Sequence, residues 1–384
     1  MRPIGQKPRV FFDARKARDF GIGRYVTGLL GALARQGEFG LVALVRPGDE
    51  AVVGDAVEVL VSSASNYGLR ELFSVKRAFR RSGADLLHAP HYVVPVFPPG
   101  ATTVTVHDLM HLTRPEHRTM ARQLYARSMI RHAVRSAARV IAVSEATRKE
   151  LERHVPGSRG RTVVIPNGVE SSFFAAVPER ERARARRERR LSMPYLLFLG
   201  NDKPHKNVEG LLAAFAALRK EQPLPHRLVL AGGAAERGPR RRALVERLGL
   251  SGTVLDLGVL PEEDLVPVLA EADALVLPSF TEGFGLPVVE AQAMGVPVVC
   301  SPRGGLLEAA GDAALFAEPD DPRALTAALG RILTDEPLRR ELSRKGRSRA
   351  SAFTWEAAAE RTAAVYREVL YGAPGQPRRA RAGA

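Results

Sequence analysis

The chain contains one cysteine, Cys300, among 384 residues, which excludes an intrachain disulfide and every multi-cysteine zinc site. Cys300 ends the apolar run Val296-Pro297-Val298-Val299-Cys300, the setting of a buried strand residue rather than of a nucleophile. No apolar run reaches the roughly 18 to 20 residues that a membrane-spanning helix requires, so no transmembrane anchor is expected. Residues Met1 to Pro8 lack the apolar stretch and cleavage site of a secretory signal, and the expected location is the cytoplasm. The nine histidines include no zinc-protease pair, and no Asp-x-Asp triplet occurs anywhere. Nothing in the sequence demands a metal or cofactor, and none is expected.

What is present is length, charge and a regular alternation. A chain of 384 residues exceeds the size at which one core stops growing, so two domains are the natural reading. The formal charge is +15, a surplus that attracts phosphates, nucleic acids or anionic lipid. Part of it is the arginine-rich stretch 178–190, read as a solvated helix face, and part the tail with Arg378, Arg379 and Arg381, read as flexible. Short β-branched runs alternate with helical patterns, which predicts βαβ units and parallel sheets. Strands are expected at 10–13, 41–45, 86–88, 103–107, 140–143 and 163–165, then at 195–199, 228–231, 254–257, 274–277 and 298–300. The fold class is α/β: two Rossmann-like, doubly wound domains facing across a cleft. The expected domains are 1–175 and 176–352, with a last helix at 353–372, capped by Thr354, returning to the first domain, and a basic tail at 373–384. Ser144 is read as the cap of a helix at 145–154, and Asn167-Gly168 as a turn.

In doubly wound sheets ligands bind beyond the carboxyl ends of the strands, and the densest string of polar and glycine residues lies there. It reads Ser279-Phe280-Thr281-Glu282-Gly283-Phe284-Gly285-Leu286-Pro287-Val288-Val289-Glu290-Ala291. Pro287 suits a first helical turn, which would set the amides of Gly283, Phe284, Gly285 and Leu286 beside a positive helix end, a ready anion site. Glu290 has the acceptors to take two ribose hydroxyls, and Glu282 lies within reach of the sugar or its phosphate. Lys203 and Lys206, after the first strand of the second domain, are placed to neutralise a diphosphate.

The string resembles the Glu-x7-Glu element of the retaining family 4 glycosyltransferases with the GT-B fold. Further matches are Gly21-Ile22-Gly23-Arg24-Tyr25, Val106-His107-Asp108-Leu109, Ala142-Val143-Ser144-Glu145, Pro166-Asn167-Gly168-Val169, Gly200-Asn201-Asp202-Lys203-Pro204-His205-Lys206-Asn207, Ala231-Gly232-Gly233 and Phe353-Thr354-Trp355. His205 departs from the family's usual basic residue before Lys-Asn. The resemblance implies a metal-independent hexosyltransferase that takes its sugar from a nucleoside diphosphate donor, with GDP-mannose first and UDP-glucose second, and passes it to a glycan or lipid-linked acceptor. It implies catalytic roles for His107, Asp108, Lys206 and Glu282. Donor contacts are implied for Gly21, Gly23, Lys203, Lys206, Glu282, Gly283, Phe284, Gly285, Leu286 and Glu290, and Glu308 is a further candidate for the donor pocket. It also implies same-face departure and attack, the leaving phosphate taking the acceptor proton.

Two other readings remain. A sugar nucleotide epimerase would share the fold and the phosphate site. A nucleic-acid-binding protein would use the basic charge, yet the arginine runs lack interleaved aromatics, and no nucleic acid is expected as partner. Residues 69–81 form an amphipathic basic segment in which Leu69, Leu72, Phe73 and Lys76 recur at helical steps and Arg70, Arg77, Arg80 and Arg81 add cations. Its ordinary reading packs Leu72, Phe73 and Phe79 on the sheet, while the alternative rests it on an anionic membrane.

Overall fold

The computed structural model describes residues 6–63, 69–98, 100–113, 120–233 and 238–372; the tail at 373–384, with its arginines, lies outside them. The chain divides into two units, Met1–Gly168 with Thr354–Ala384, and Val169–Phe353.

The first unit is built on seven parallel strands, β1 (Arg9–Asp13), β2 (Gly40–Val45), β3 (Glu58–Val61), β4 (Leu86–Ala89), β5 (Ala101–Val106), β6 (Arg139–Ala142) and β7 (Thr162–Val164), in the order β3-β2-β1-β4-β5-β6-β7. Both faces are covered, which is why the central strands read as continuous apolar runs. Along β1 the pleat sends Val10 and Phe12 into one apolar cluster and Phe11 into the other. The first cluster takes Tyr25, Val26, Leu29, Leu30 and Leu33 from the helix Phe20–Gln36 and Trp355, Ala359 and Tyr366 from the helix Trp355–Tyr371. The second takes Val75 and Phe79 from the helix Leu69–Ser82 and Ile130, Ala133 and Val134 from the helix Met120–Ser136.

Phe73 departs from its expected place in the core. Phe79 packs edge-on to Phe11 with ring centroids 5.7 Å apart, but Phe73 points away from the core and is 73% exposed. The side chains at 69–72, Leu72 among them, lie outside the described residues.

The final helix begins where Thr354 accepts the Ala357 amide at 3.1 Å, and it is seated by close approach. A Cβ on Gly28 would come within 2.2 Å of the Trp355 ring, and one on Gly168 within 2.3 Å of the Trp355 backbone nitrogen. Gly168 is therefore glycine because two stretches of chain touch there. Ser144 caps Glu145–His154 as expected, accepting the Thr147 amide at 3.0 Å.

The second unit holds β8 (Tyr195–Leu199), β9 (Arg227–Ala231), β10 (Val254–Gly258), β11 (Ala274–Leu277), β12 (Val298–Cys300) and β13 (Leu315–Phe316), all parallel, in the order β10-β9-β8-β11-β12-β13. Cys300 is buried in β12, and burial pushes its thiol above the ordinary range. The strands β3 and β13, each at an edge of its sheet and without a fully buried residue, were not expected from the sequence; β7 and β10, the opposite edges, were expected although they too contain no fully buried residue.

The arginine-rich stretch is also corrected. It forms the helix Glu179–Glu188, whose face is not simply solvated. Arg182 and Arg186 pair with Glu271, and Arg184 and Arg189 with Asp264, itself almost fully buried. The acidic partners come some eighty residues later on the helix Glu262–Ala270, out of reach of any local reading.

A hydrogen-bonded chain ties the last helix of the first unit to its sheet. The Tyr366 hydroxyl bonds His88 Nδ1, His88 Nε2 meets Thr105 Oγ1 at 2.9 Å, and Thr105 Oγ1 meets the Tyr25 hydroxyl at 2.7 Å. Burial pulls His88 and His91 down to about 3 and His107 to about 4. An unfolded histidine titrates near 6.5, so the unfolded chain binds more protons than the folded one between these values. Stability contributed by the three neutral imidazoles is complete above about pH 6.5 and drains as pH falls toward 4, with a slope of about 1.4 kcal/mol per pH unit for each proton taken up. Urea midpoints measured from pH 7 to pH 5 should fall with pH, and His88→Gln should flatten that slope by about one proton. A midpoint that stays constant over the range contradicts this assignment.

Candidate functional site

In the second sheet the strand order reverses between β8 and β11, and a doubly wound sheet leaves its ligand crevice at such a point. Two loops leave adjacent carboxyl ends there, one from Gly200 to Asn207 and one from Pro278 to Gly285. The Phe280 amide donates to the His205 carbonyl at 2.7 Å and ties them together. Lys206, at the end of a short 3-10 turn, then meets Glu282: its Nζ lies 2.5 Å from Oε1. The same oxygen accepts the Ser279 hydroxyl at 2.8 Å, and the Ser301 hydroxyl donates to the Ser279 carbonyl at 2.5 Å. Neither serine stood out in the sequence. Both are completely buried, and they fix the carboxylate from below.

The backbone around Glu282 is packed as closely as its side chain. The Gly305 amide donates to the Glu282 carbonyl at 2.9 Å. A Cβ on Gly304 would approach that carbonyl oxygen to 2.6 Å, and one on Gly305 the Gly283 carbonyl oxygen to 2.3 Å. After the loop, Gly285 adopts φ 106° as cap of the helix Leu286–Met294, with Pro287 in the first turn. A positive φ there favours glycine, and any side chain would also meet Leu306. Helix starts leave N–H groups without intrahelical partners and carry partial positive charge, so the loop presents an anion-seeking end next to Lys206 and Glu282.

Glu290 lies one turn into this helix and is 2% exposed. Phe284 is buried edge-on to Phe353 at 5.6 Å, and Leu286 is buried as well; both hold the loop in place through their side chains. Lys203 is exposed, three residues before Lys206. Its neighbour Asp202 pairs with Arg241 at 2.9 Å. Glu308, read from the sequence as a loop residue, sits in the first turn of the helix Gly305–Ala310.

The first unit gathers a second set of groups at its own reversal, between β1 and β4. The strand β5 ends at Val106, one residue earlier than expected, which leaves His107 in the following loop. His107 Nε2 lies 2.9 Å from the Pro90 carbonyl. A carbonyl only accepts, so Nε2 carries the proton and Nδ1 is the ring's acceptor. Tyr25 stands edge-on to this ring at 4.7 Å. Asp108 Oδ1 accepts the Met110 amide at 3.0 Å and so starts the short helix Met110–Thr113. Gly21 is exposed with open space where a Cβ would stand, whereas a Cβ on Gly23 would come within 2.4 Å of the Ala17 carbonyl oxygen. Close packing of the turn before the helix explains Gly23; no such contact explains Gly21.

Asp13, Arg15, Lys16 and His91 belong to this set and were missed. The Arg15 guanidinium grips both oxygens of Asp13, at 2.7 and 2.6 Å, and His91 Nε2 lies 3.9 Å from Asp13. Burial raises the Asp13 pKa, but the charge and hydrogen bonds of Arg15 outweigh it and hold the carboxylate ionised. The signal was available: the charged residues Asp13, Arg15 and Lys16 follow the buried stretch Val10 to Phe12 with only Ala14 among them, and charges in that position need partners.

Two family descriptions match the chain: Glycosyltransferase Family 4 over residues 21–173 and Glycosyl transferases group 1 over residues 179–349. The O-antigen chain mannosyltransferase B of Escherichia coli is 33% identical over 282 residues, spanning 73% of this chain and 74% of that one. The sucrose-phosphate synthase of Thermosynechococcus elongatus superposes with a TM-score of 0.79 at 26% identity, over 96% of this chain and all of that one. Anabaena Alr3699/HepE, solved in complex with UDP and glucose, superposes with a TM-score of 0.75 at 20% identity, over 94% and 99%, a likeness that bears on fold. With two parallel doubly wound sheets and both family matches in chain order, this chain belongs to the family 4 glycosyltransferases and has their GT-B fold.

Proposed function

We propose that this glycosyltransferase moves a hexose, mannose before glucose, from a nucleoside diphosphate sugar to an acceptor hydroxyl of a glycan or lipid-linked saccharide, with retention at the anomeric carbon and without a metal ion. The observation that carries the reading is the meeting of Lys206 and Glu282 beside the start of the helix Leu286–Met294. An ammonium has three donors; with one on Glu282, Lys206 can add phosphate oxygens of the donor. Glu282, an acceptor-only carboxylate, suits hydroxyls of the transferred sugar. Glu290 suits the neighbouring ribose hydroxyls, and exposed Lys203 supplies a second cation for the diphosphate.

Charge builds on the leaving diphosphate as the glycosidic bond breaks, and Lys206 with the helix end stabilises it in the place where other enzymes use a cation. The missing Asp-x-Asp triplet favours this division of labour. No carboxylate is assigned as nucleophile, so the leaving phosphate accepts the proton of the attacking hydroxyl on the same face. In the first unit His107 offers its neutral Nδ1 to a sugar hydroxyl. Similarity to an O-antigen mannosyltransferase supports mannose, and so GDP-mannose, as the first donor to test. The UDP and glucose held by a protein of the same fold support the nucleoside diphosphate class and keep UDP-glucose second.

A hydrolysis and binding screen across purified nucleoside diphosphate sugars tests the donor, since slow turnover to water needs no acceptor. Lys206→Ala, Glu282→Ala and Glu290→Ala should each keep the wild-type melting profile and lose on the order of 2 to 4 kcal/mol of transition-state stabilisation, roughly 30- to 1,000-fold in rate. Wild-type turnover in two of the three folded variants rules out this site.

Turnover should persist in excess chelator and gain nothing from added magnesium or manganese. Complete loss that either ion restores refutes metal independence while leaving the donor assignment standing.

A further inference from the structure

We propose that one surface of the first unit, formed by the helix Leu69–Ser82, residues Val96 and Phe97, and the helix Met120–Ser136, docks on an anionic lipid bilayer. Phe73 and Phe97 are 73% and 75% exposed, and Val96 is half exposed. Large apolar side chains exposed together mark a contact surface. Lys76 links their two segments: one turn after Phe73 on the same helical face, it holds its ammonium 5.9 Å from the centroid of the Phe97 ring. The second helix reaches the same segment through His132, whose Nε2 lies 3.0 Å from the Pro95 carbonyl. Exposed Tyr125 stands two turns earlier on the His132 stripe.

The charge around these groups is predominantly positive. The helix Leu69–Ser82 carries five basic residues and one acidic, and the helix Met120–Ser136 carries four arginines and no acidic residue. Arg77, Arg80 and Arg81 are exposed. Basic side chains framing exposed aromatics match an interface of anionic headgroups over hydrocarbon, with phenyl rings entering the acyl boundary and the cations remaining among phosphates. Val75 and Phe79 already anchor the first helix to the core, so Phe73 and Phe97 are not needed to hold it. A second copy would set this positive face against itself. No described helix is long and apolar enough to cross a membrane, so contact through these helices is peripheral.

Co-sedimentation with phosphatidylcholine vesicles, with and without phosphatidylglycerol, at low and high salt, tests the surface. The wild-type chain should bind the anionic vesicles at low salt and leave them at high salt. The triple change Arg77→Glu, Arg80→Glu, Arg81→Glu should weaken binding by more than about tenfold. Phe73→Ser with Phe97→Ser should weaken it several-fold while preserving thermal melting and donor hydrolysis. Equal binding to pure phosphatidylcholine overturns the proposal, as does unchanged binding by either variant. So does a wild-type dimer that the double phenylalanine change converts to monomer, or an oligonucleotide that binds with the same dependence on Phe73 and Phe97. The readout is sedimentation, so failure here leaves the donor site untouched, and failure of the donor site leaves this surface untouched.

Discussion

A parallel sheet wound in both directions from its centre leaves one place where neighbouring strands send their chains to opposite faces, and no helix covers the end of the sheet there. Lys206 and Glu282 enter that place from β8 and β11 and meet at 2.5 Å. The rest of the site follows from keeping them together. Ser279 and Ser301 are buried because the carboxylate needs a fixed support, Gly304 and Gly305 lack side chains because the loop lies against them, and Gly285 takes a positive φ because the loop must turn at once into a helix. A partly buried ion pair of this kind contributes little to stability once desolvation is counted. In the proposed reaction its value is geometric: a cation and an acceptor are held a fixed distance apart before any ligand arrives, and preorganisation of that sort is what electrostatic catalysis requires.

The first unit answers the same topological constraint with different chemistry. Its reversal, between β1 and β4, gathers an Asp13–Arg15 pair and the imidazoles of His91 and His107, while His88 lies in β4 itself. Burial keeps the three histidines neutral, so the cluster presents hydrogen-bonding groups rather than added positive charge. Neutral acceptors suit hydroxyls, as cations and helix ends suit phosphates.

The sequence made the strand-to-loop architecture legible because buried parallel strands are apolar on both faces and their following loops are polar and glycine-rich. Pro287 marked the helix start, Thr354 and Ser144 their caps, and Cys300 a buried strand. What escaped was whatever depends on partners distant along the chain. Arg184 and Asp264 are 80 residues apart, and nothing near the arginine run announces its acidic counterpart. Gly168 looked like a turn residue because the obstacle to a side chain is Trp355. Phe73 looked like core because helical spacing states which residues share a face and not which face looks inward.

These distant pairings also decide where the surplus positive charge has physical effect. The helix Glu179–Glu188, which holds the densest arginine run, spends four cations of that run on Asp264 and Glu271 within its own unit, so its field is largely cancelled a few ångströms from the surface. The helices Leu69–Ser82 and Met120–Ser136 carry a single acidic residue between them, and the potential over them adds instead of cancelling. A formal charge of +15 is thus a poor guide by itself: the stretch that contributes most conspicuously to it acts as an internal clamp. The face that looked like an ordinary sheet-packing helix concentrates exposed aromatic rings and a surplus of cations.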